Sequence, residues 1–161
     1  MTISVGHSAP EGTLKVITSD GPTEKAAADM FGHGTVVLVG VPGAFTPTCN
    51  DNHVPGYLEN ADALKARGVD AIYILSANDH HVMRAWEKSL GSEGKVHMIS
   101  DWDASYAKAL GLEIDISAYG LGMRAKRFSI LFKDGKAAII NVEDNPGQVS
   151  NTSAATLMGA M

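Results

Sequence analysis

A single cysteine, Cys49, stands in a chain of 161 residues. One thiol excludes an intrachain disulfide and a cysteine-rich metal centre. It also excludes the C-x-x-C pair of a thiol–disulfide oxidoreductase. The six histidines are scattered without ligand spacing. His80 and His81 are adjacent, so on a helix they point about 100° apart and make poor joint ligands; no metal is expected. Positive charge is scarce too: 13 Lys and Arg against 18 Asp and Glu leave a net charge of −5. That balance argues against nucleic acid or an anionic membrane as partner. No apolar run approaches the ~20 residues that a membrane-spanning helix needs. Met1-Thr2-Ile3-Ser4 has neither a basic n-region nor an apolar h-region, so no signal peptide is expected. These absences point to a globular protein of a reducing compartment, the cytoplasm. The length suits one domain over 1–161.

The stretch from Val36 to His53 organises what is present. Val36-Val37-Leu38-Val39 opens a near-unbroken apolar, β-branched run, which predicts a strand buried on both faces. Pro42-Gly43 ends it. Thr46-Pro47-Thr48 then predicts a helix start, with Thr46 as N-cap and Pro47 at the first helical position. Cys49 falls at the third position, where free amides and the positive end of the helix dipole favour a thiolate. Thr46 lies three residues before it, so the two side chains can share one side of the helix. A hydroxyl has one donor and two lone pairs, so Thr46 can cap the helix and still donate to the sulfur or a ligand beside it. The competing reading is that Cys49 is an inert, buried small hydrophobe. The helix should continue to about Arg67 and stop at Gly68, with a kink or break near His53 caused by Pro55. His53 lies four residues after Cys49, on the same side. It can add positive charge near the sulfur, support the loop, or simply pack against backbone.

The rest of the chain alternates strands with helices. Val5 to Pro10 reads as a lead-in loop, Leu14–Ile17 as a short strand, and Thr23 or Glu24 to Phe31 as a short helical stretch or turn. Val69–Ala77 is a second buried strand, and Asn78-Asp79 caps a helix from His80 or His81 to Leu90. Lys95–Ser100 is a further strand, and Asp101-Trp102-Asp103 opens a helix over Ala104–Leu110. Glu113 to Gly122 looks irregular. Phe128–Phe132 and Ala137–Val142 flank Lys133-Asp134-Gly135-Lys136, whose Asp-Gly is a strong hairpin mark. Asp144-Asn145-Pro146-Gly147 is a turn, and a last helix starts after Ser150 or Asn151 and runs into Leu157 and Met158. Alternation implies parallel strands with right-handed crossovers, and the hairpin adds an antiparallel edge. The fold class is therefore α/β, a mixed central sheet with helices on both faces.

Pro42, Thr46 and Cys49 fit P-x-x-x-T-x-x-C, the signature of peroxiredoxins. Pro-Gly-Ala-Phe-Thr-Pro-Thr-Cys followed by His53-Val54-Pro55-Gly56 resembles the atypical, or type II, subfamily. Asn78-Asp79 and Trp86 resemble the same pattern. The resemblance implies a thioredoxin-like fold and a thiol peroxidase without cofactor. Lys126-Arg127-Phe128-Ser129 is similar to the family's Lys-Arg-Phe/Tyr-Ser motif, whose arginine is catalytic; by charge alone Arg124 and Arg127 would be indistinguishable. The implied roles are Cys49 as peroxidatic nucleophile, with Thr46, Arg127 and Pro42 around it, and Thr48, Phe45 and Leu121 at the substrate. His53 is a supporting residue.

The resemblance also implies hydrogen peroxide and alkyl hydroperoxides as substrates and a Cys49 sulfenic acid as intermediate. Plant relatives usually carry a resolving cysteine at the position of Ser76, and animal relatives one in the region of Ser150, Asn151, Thr152 and Ser153; none of these is a thiol here. Recycling then falls to an outside thiol, glutathione or glutaredoxin first, thioredoxin next, or the same cysteine of a neighbouring subunit. A homodimer is implied, with Phe45 and the apolar stretch Tyr119–Met123 as contact candidates near the rim of the site. The alternative of another class is a peroxide sensor whose oxidised Cys49 changes partner affinity without turnover.

Overall fold

The computed structural model describes residues 2–161. Met1, the first residue of the expected 1–161 domain, lies outside them. Among the described residues a seven-stranded sheet is built from β1 (Thr13–Thr18), β2 (Gly21–Ala26), β3 (Thr35–Gly40), β4 (Ala71–Ser76), β5 (His97–Ser100), β8 (Phe128–Lys133) and β9 (Lys136–Val142), in the order β2-β1-β5-β4-β3-β8-β9. β3 pairs parallel with β4, and β4 with β5. β3–β8, β8–β9, β1–β5 and β1–β2 are antiparallel. The helices are α1 (Ala27–Phe31), α2 (Val54–Glu59), α3 (Ala61–Ala66), α4 (His80–Leu90), α5 (Ser105–Leu110) and α6 (Ala154–Ala160).

β3 shows why its sequence is apolar throughout. Val36 and Leu38 join one core cluster, and Val37, Val39 and Val41 join the other. Successive side chains point to opposite faces, so both faces of this central strand are covered. α1 and α5 supply Phe31, Tyr106 and Leu110 to the first cluster. α2, α3, α4 and α6 supply Tyr57, Leu64, Trp86 and Leu157 to the second. The sheet is mixed, with helices on both faces, and the fold is thioredoxin-like. Gly40, at the end of β3, lies opposite Phe128. A Cβ there would sit 1.9 Å from Phe128 Cε2, so only glycine lets that ring cross the strand.

The β8–β9 hairpin forms at Asp134-Gly135, with φ of 48° and 85°. Two positive φ values in succession are what a type I′ turn requires. Three expectations are corrected. Thr23–Ala26, expected as helix or turn, belongs to β2, and the helical part begins only at Ala27. β2 is an edge strand with mostly exposed side chains, so it has no apolar alternation to read, and its Pro22 is tolerated at an edge. Glu113–Gly122 is not wholly irregular: β6 (Glu113–Asp115) pairs with β7 (Met123–Ala125) around a 3₁₀ turn at Ser117–Tyr119. The helix expected from Thr46 to Arg67 has its expected break near His53, but a second one at Asn60 leaves it in three pieces. A π-helical segment, Thr48–His53, leads into α2, and Asn60 separates α2 from α3. The π geometry appears where the Val54 amide donates to the carbonyl of Cys49, five residues back. Pro55 follows directly and has no amide to offer.

Candidate active site

β3 delivers its chain end to a loop, Pro42 to Phe45, that is tied down from outside. The Val41 amide donates to Leu75 O at 3.0 Å, and the Ala44 amide to Asn78 Oδ1 at 2.9 Å. Ser76 Oγ donates to the same Asn78 oxygen at 2.6 Å. Asn78, read from sequence as part of a cap, thus holds the loop, while Asp79 alone caps α4 by accepting the Val82 amide. Phe45 turns the corner at φ 61°, a costly conformation for a non-glycine residue.

Thr46 does not cap as expected. Its hydroxyl donates to Gly43 O at 2.7 Å, while its backbone carbonyl closes the first turn by accepting the Asn50 amide at 2.9 Å. The proton is therefore committed to the loop, and the lone pairs of Thr46 Oγ1 stay available. The π-helical segment is pinned from α4, where Trp86 Nε1 donates to Asn50 Oδ1 at 2.8 Å.

Cys49 is fully buried in the second core cluster. It is not an isolated hydrophobe, because Arg127 Nη2 donates to its Sγ at 3.0 Å. A guanidinium can only donate, so the sulfur accepts, a role that a thiolate fills better than a thiol. Arg127 precedes β8 by one residue and shares the side of the sheet on which Leu131 packs, opposite Phe128. Its other two nitrogens are also engaged: Nη1 meets His53 Nδ1 at 2.9 Å, and Nε donates to Pro146 O at 2.9 Å. Arg124, its rival in sequence, donates to Leu121 O at 2.8 Å and Pro42 O at 3.3 Å.

His53 is buried, and its Nε2 lies 3.0 Å from Thr152 O. Burial lowers its pKa, and the Arg127 guanidinium lowers it further, to about 4, against smaller opposing effects of the Thr152 carbonyl and Glu143. It is therefore neutral near pH 7 and adds no positive charge beside the sulfur. Thr152 O also accepts from Tyr57 OH at 2.6 Å.

A cavity of about 310 Å³ opens next to Arg127. Pro42, Thr46, Thr48 and Leu121 form its walls, together with Tyr119 and Pro146. The Thr48 hydroxyl donates across it to Gly147 O at 3.1 Å. Arg127 both lines the cavity and touches Sγ, so one side chain connects the open space to the buried sulfur. Phe45 is elsewhere: about half exposed, it packs with its ring 6.3 Å from that of Trp86. Among the described residues no group of three or more His, Cys, Asp or Glu side chains could hold a metal ion, and no helix is long and apolar enough to cross a membrane.

Sequence reasoning missed Asn50, Pro146, Thr152 and Glu143. Only Asn50 lies near Cys49 in the chain, and the others carry no local signal.

Fold and site together define a thioredoxin-like protein with one arginine-held cysteine beside a small cavity. Residues 4–156 match the Redoxin family. The chain is 41% identical to peroxiredoxin-2C of Oryza sativa subsp. japonica over 160 residues, 99% of this chain and 98% of that one. It is 40% identical to peroxiredoxin-2B of Arabidopsis thaliana over the same shares. It superposes with a TM-score of 0.92 on the crystal structure of reduced Prx3 from Vibrio vulnificus in complex with H2O2, at 40% identity and 99% coverage of each chain. The chain belongs to the peroxiredoxins, in their type II branch, as a member with a single cysteine. Its class of activity is that of a thiol peroxidase.

Proposed function

We propose that the chain reduces hydrogen peroxide and alkyl hydroperoxides through a Cys49 sulfenic acid that an external thiol recycles. The carrying observation is the 3.0 Å contact between Arg127 Nη2 and Cys49 Sγ beside the cavity. The thiolate attacks one peroxide oxygen, and a sulfur–oxygen bond forms as the O–O bond breaks. The other oxygen leaves as hydroxide or alkoxide and takes a proton to become water or an alcohol. An ionised sulfur alone is not enough, since nucleophilicity falls with basicity; groups aimed at the developing charge must carry much of the rate. Arg127 is the permanently charged donor for that oxygen. Thr46 orients the peroxide by accepting its O–H, because its own proton goes to Gly43 O. Pro42 shields the sulfur from bulk water, the Thr48 amide adds a donor, and Leu121 lines the approach. Phe45 contributes through the loop rather than at the cavity wall.

Glutathione, or glutaredoxin using it, is the favoured reductant, with thioredoxin next. The sulfenic acid condenses with one thiol to give a mixed disulfide and water; a second thiol releases Cys49 and leaves as the disulfide. We place this activity in one cytoplasmic domain that assembles as a homodimer. Exposed Phe45, Tyr119 and Met123 are the contact candidates, and a light-scattering mass of one chain would count against the dimer.

The test is stopped-flow reaction of the wild type, Cys49→Ser and Arg127→Ala with hydrogen peroxide and a hydroperoxide, followed by turnover with each thiol. Cys49→Ser should be inert and Arg127→Ala slower by about 10²–10³-fold. Oxidation of Cys49 without turnover by any thiol would instead make the protein a peroxide sensor.

A further inference from the structure

Arg127 is gripped at both ends by one residue, Glu143, which follows β9. At the backbone, the Glu143 amide donates to Arg127 O at 2.9 Å. At the guanidinium the connection runs through three links. Arg127 Nη1 can only donate, so His53 Nδ1 must accept, and the imidazole proton sits on Nε2. Nε2–H then donates to Thr152 O at 3.0 Å. Thr152 is fixed in turn by the Glu143 carboxylate: its amide and hydroxyl donate to Oε2 at 2.9 and 2.7 Å. The same carboxylate accepts the amides of Ser150 and Asn151 at 2.9 Å each and Ser150 Oγ at 2.6 Å. A closed ring results: Arg127 backbone, Glu143, Thr152, His53, Arg127 guanidinium.

We infer that Glu143 is a positioning residue for catalysis, holding the Thr152 carbonyl where it fixes the His53 tautomer and thereby aims Arg127 at Cys49. The inference deepens the proposed function and rests on it. Without the carboxylate, the segment 150–152 loses the acceptor of five hydrogen bonds. Thr152 O then drifts from His53, the ring is free to carry its proton on either nitrogen, and the Nδ1–H form repels Arg127 Nη1. Small displacements of a reacting group are costly in rate. Nothing in the ring touches the peroxide except Arg127, so the effect falls on the rate of sulfur oxidation and leaves the reductant step alone.

Three variants test this: Glu143→Gln, Thr152→Val and Thr152→Ser. Glutamine keeps one acceptor oxygen for the four donors now on Oε2 but loses the charge that strengthens those bonds and turns its amide N–H to the Ser150 hydroxyl; valine removes the Thr152 hydroxyl at nearly constant shape, and serine keeps it. The readouts are the rate constant for hydrogen peroxide at pH 7 and the ¹⁵N shifts of the His53 ring, with thermal melting as a control for folding. Glu143→Gln should lose about tenfold in rate and show a mixture of His53 tautomers. Thr152→Val should lose less, and Thr152→Ser should recover both readouts. If Glu143→Gln does not fold, the valine and serine pair decides. Wild-type rates in Glu143→Gln and Thr152→Val, or a single Nε2–H form of His53 in both, overturn the inference. An active Cys49→Ser would remove the parent reading instead, while the tautomer measurement would still decide whether the ring orders His53.

Discussion

The two faces of the sheet are drawn from the same strands but hold together differently. On one face Phe31 gathers aromatic neighbours: Phe132 stacks at 5.3 Å, Tyr73 meets it edge-on at 5.7 Å, and Tyr106 lies at 6.0 Å. On the other face, Cys49, His53 and Arg127 are buried beside the apolar core and satisfied almost entirely by hydrogen bonds. Apolar packing is non-directional and tolerates repacking, whereas a buried polar ring works only when every partner is present. The first face should therefore govern stability and the second activity, though Phe31 and Cys49 are alike buried.

The sharpest way to break that contrast is a crossed pair of variants. Arg127→Met should lower the peroxide rate by about 10²–10³-fold. Its cost in stability should be the smaller one, about 1–3 kcal/mol, because methionine fills the volume but leaves His53 Nδ1 and Pro146 O without their donor. Phe31→Ala should do the reverse, costing about 3–5 kcal/mol in denaturant unfolding while the folded fraction reacts at nearly the wild-type rate. Equal losses in both assays for both variants would abolish the distinction between the faces.

Gly40→Ala tests a place where the faces meet. The added Cβ would push Phe128 aside, and Arg127 precedes Phe128. Both readouts should fall, stability by about 1–3 kcal/mol. An unchanged peroxide rate would show that Arg127 is held by its ring and not by the strand behind it.

Acid should act with opposite sign on His53 and Glu143 on one face and on Asp101 on the other. His53 is lowered to about 4 from an ordinary 6.5. Between those values the unfolded chain takes up a proton that the folded chain refuses, so stability falls as the pH drops from 6.5 to about 4. Burial alone would raise Glu143, but the bonds from Ser150, Thr152 and Asn151 outweigh it and bring the carboxyl to about 2 from 4.5. Its contribution is full above 4.5 and is lost as the pH falls towards 2. Across the sheet, burial raises Asp101 above 3.8, against the amides of Tyr106 and Ala107 that it accepts. There the folded chain takes the proton first, so Asp101 slightly favours folding as the pH falls through its raised value. Urea midpoints against pH should decline from 6.5 downwards, and His53→Gln should flatten the limb above 4. A flat wild-type profile would contradict the neutral, buried His53.

The smallest expected effect lies away from both faces. Asp79→Ala removes the side-chain cap of α4 and should cost about 1 kcal/mol in the same unfolding assay with no change in peroxide rate.

Much of the scaffold was legible before any coordinates. The β3 run, the Asp134-Gly135 hairpin, the Asp79 cap and the Gly68 stop are local, and near-neighbour sterics and hydrogen bonding settle them. β2 and the β6–β7 pair were hidden, the first because an exposed edge strand carries no alternation, the second because three residues a side carry too little pattern. At the site, the motif around Cys49 told where the sulfur sits relative to a helix start. It did not tell that the first turns are π-helical, nor that the Thr46 hydroxyl turns back to Gly43.

The amino-acid order by itself thus determined a buried central strand, a sharp stop, and a lone cysteine at the mouth of a helix. Only the folded chain brought Arg127, singled out in sequence by its motif alone, onto that cysteine, and decided which nitrogen of His53 holds the proton and that a carboxylate at Glu143 belongs to the arrangement. The reason is distance along the chain: Arg127 and Cys49 are 78 residues apart, and His53 and Thr152 are 99 apart. Such pairs meet only when the sheet closes and brings the end of β3, the start of β8 and the segment before α6 to one place.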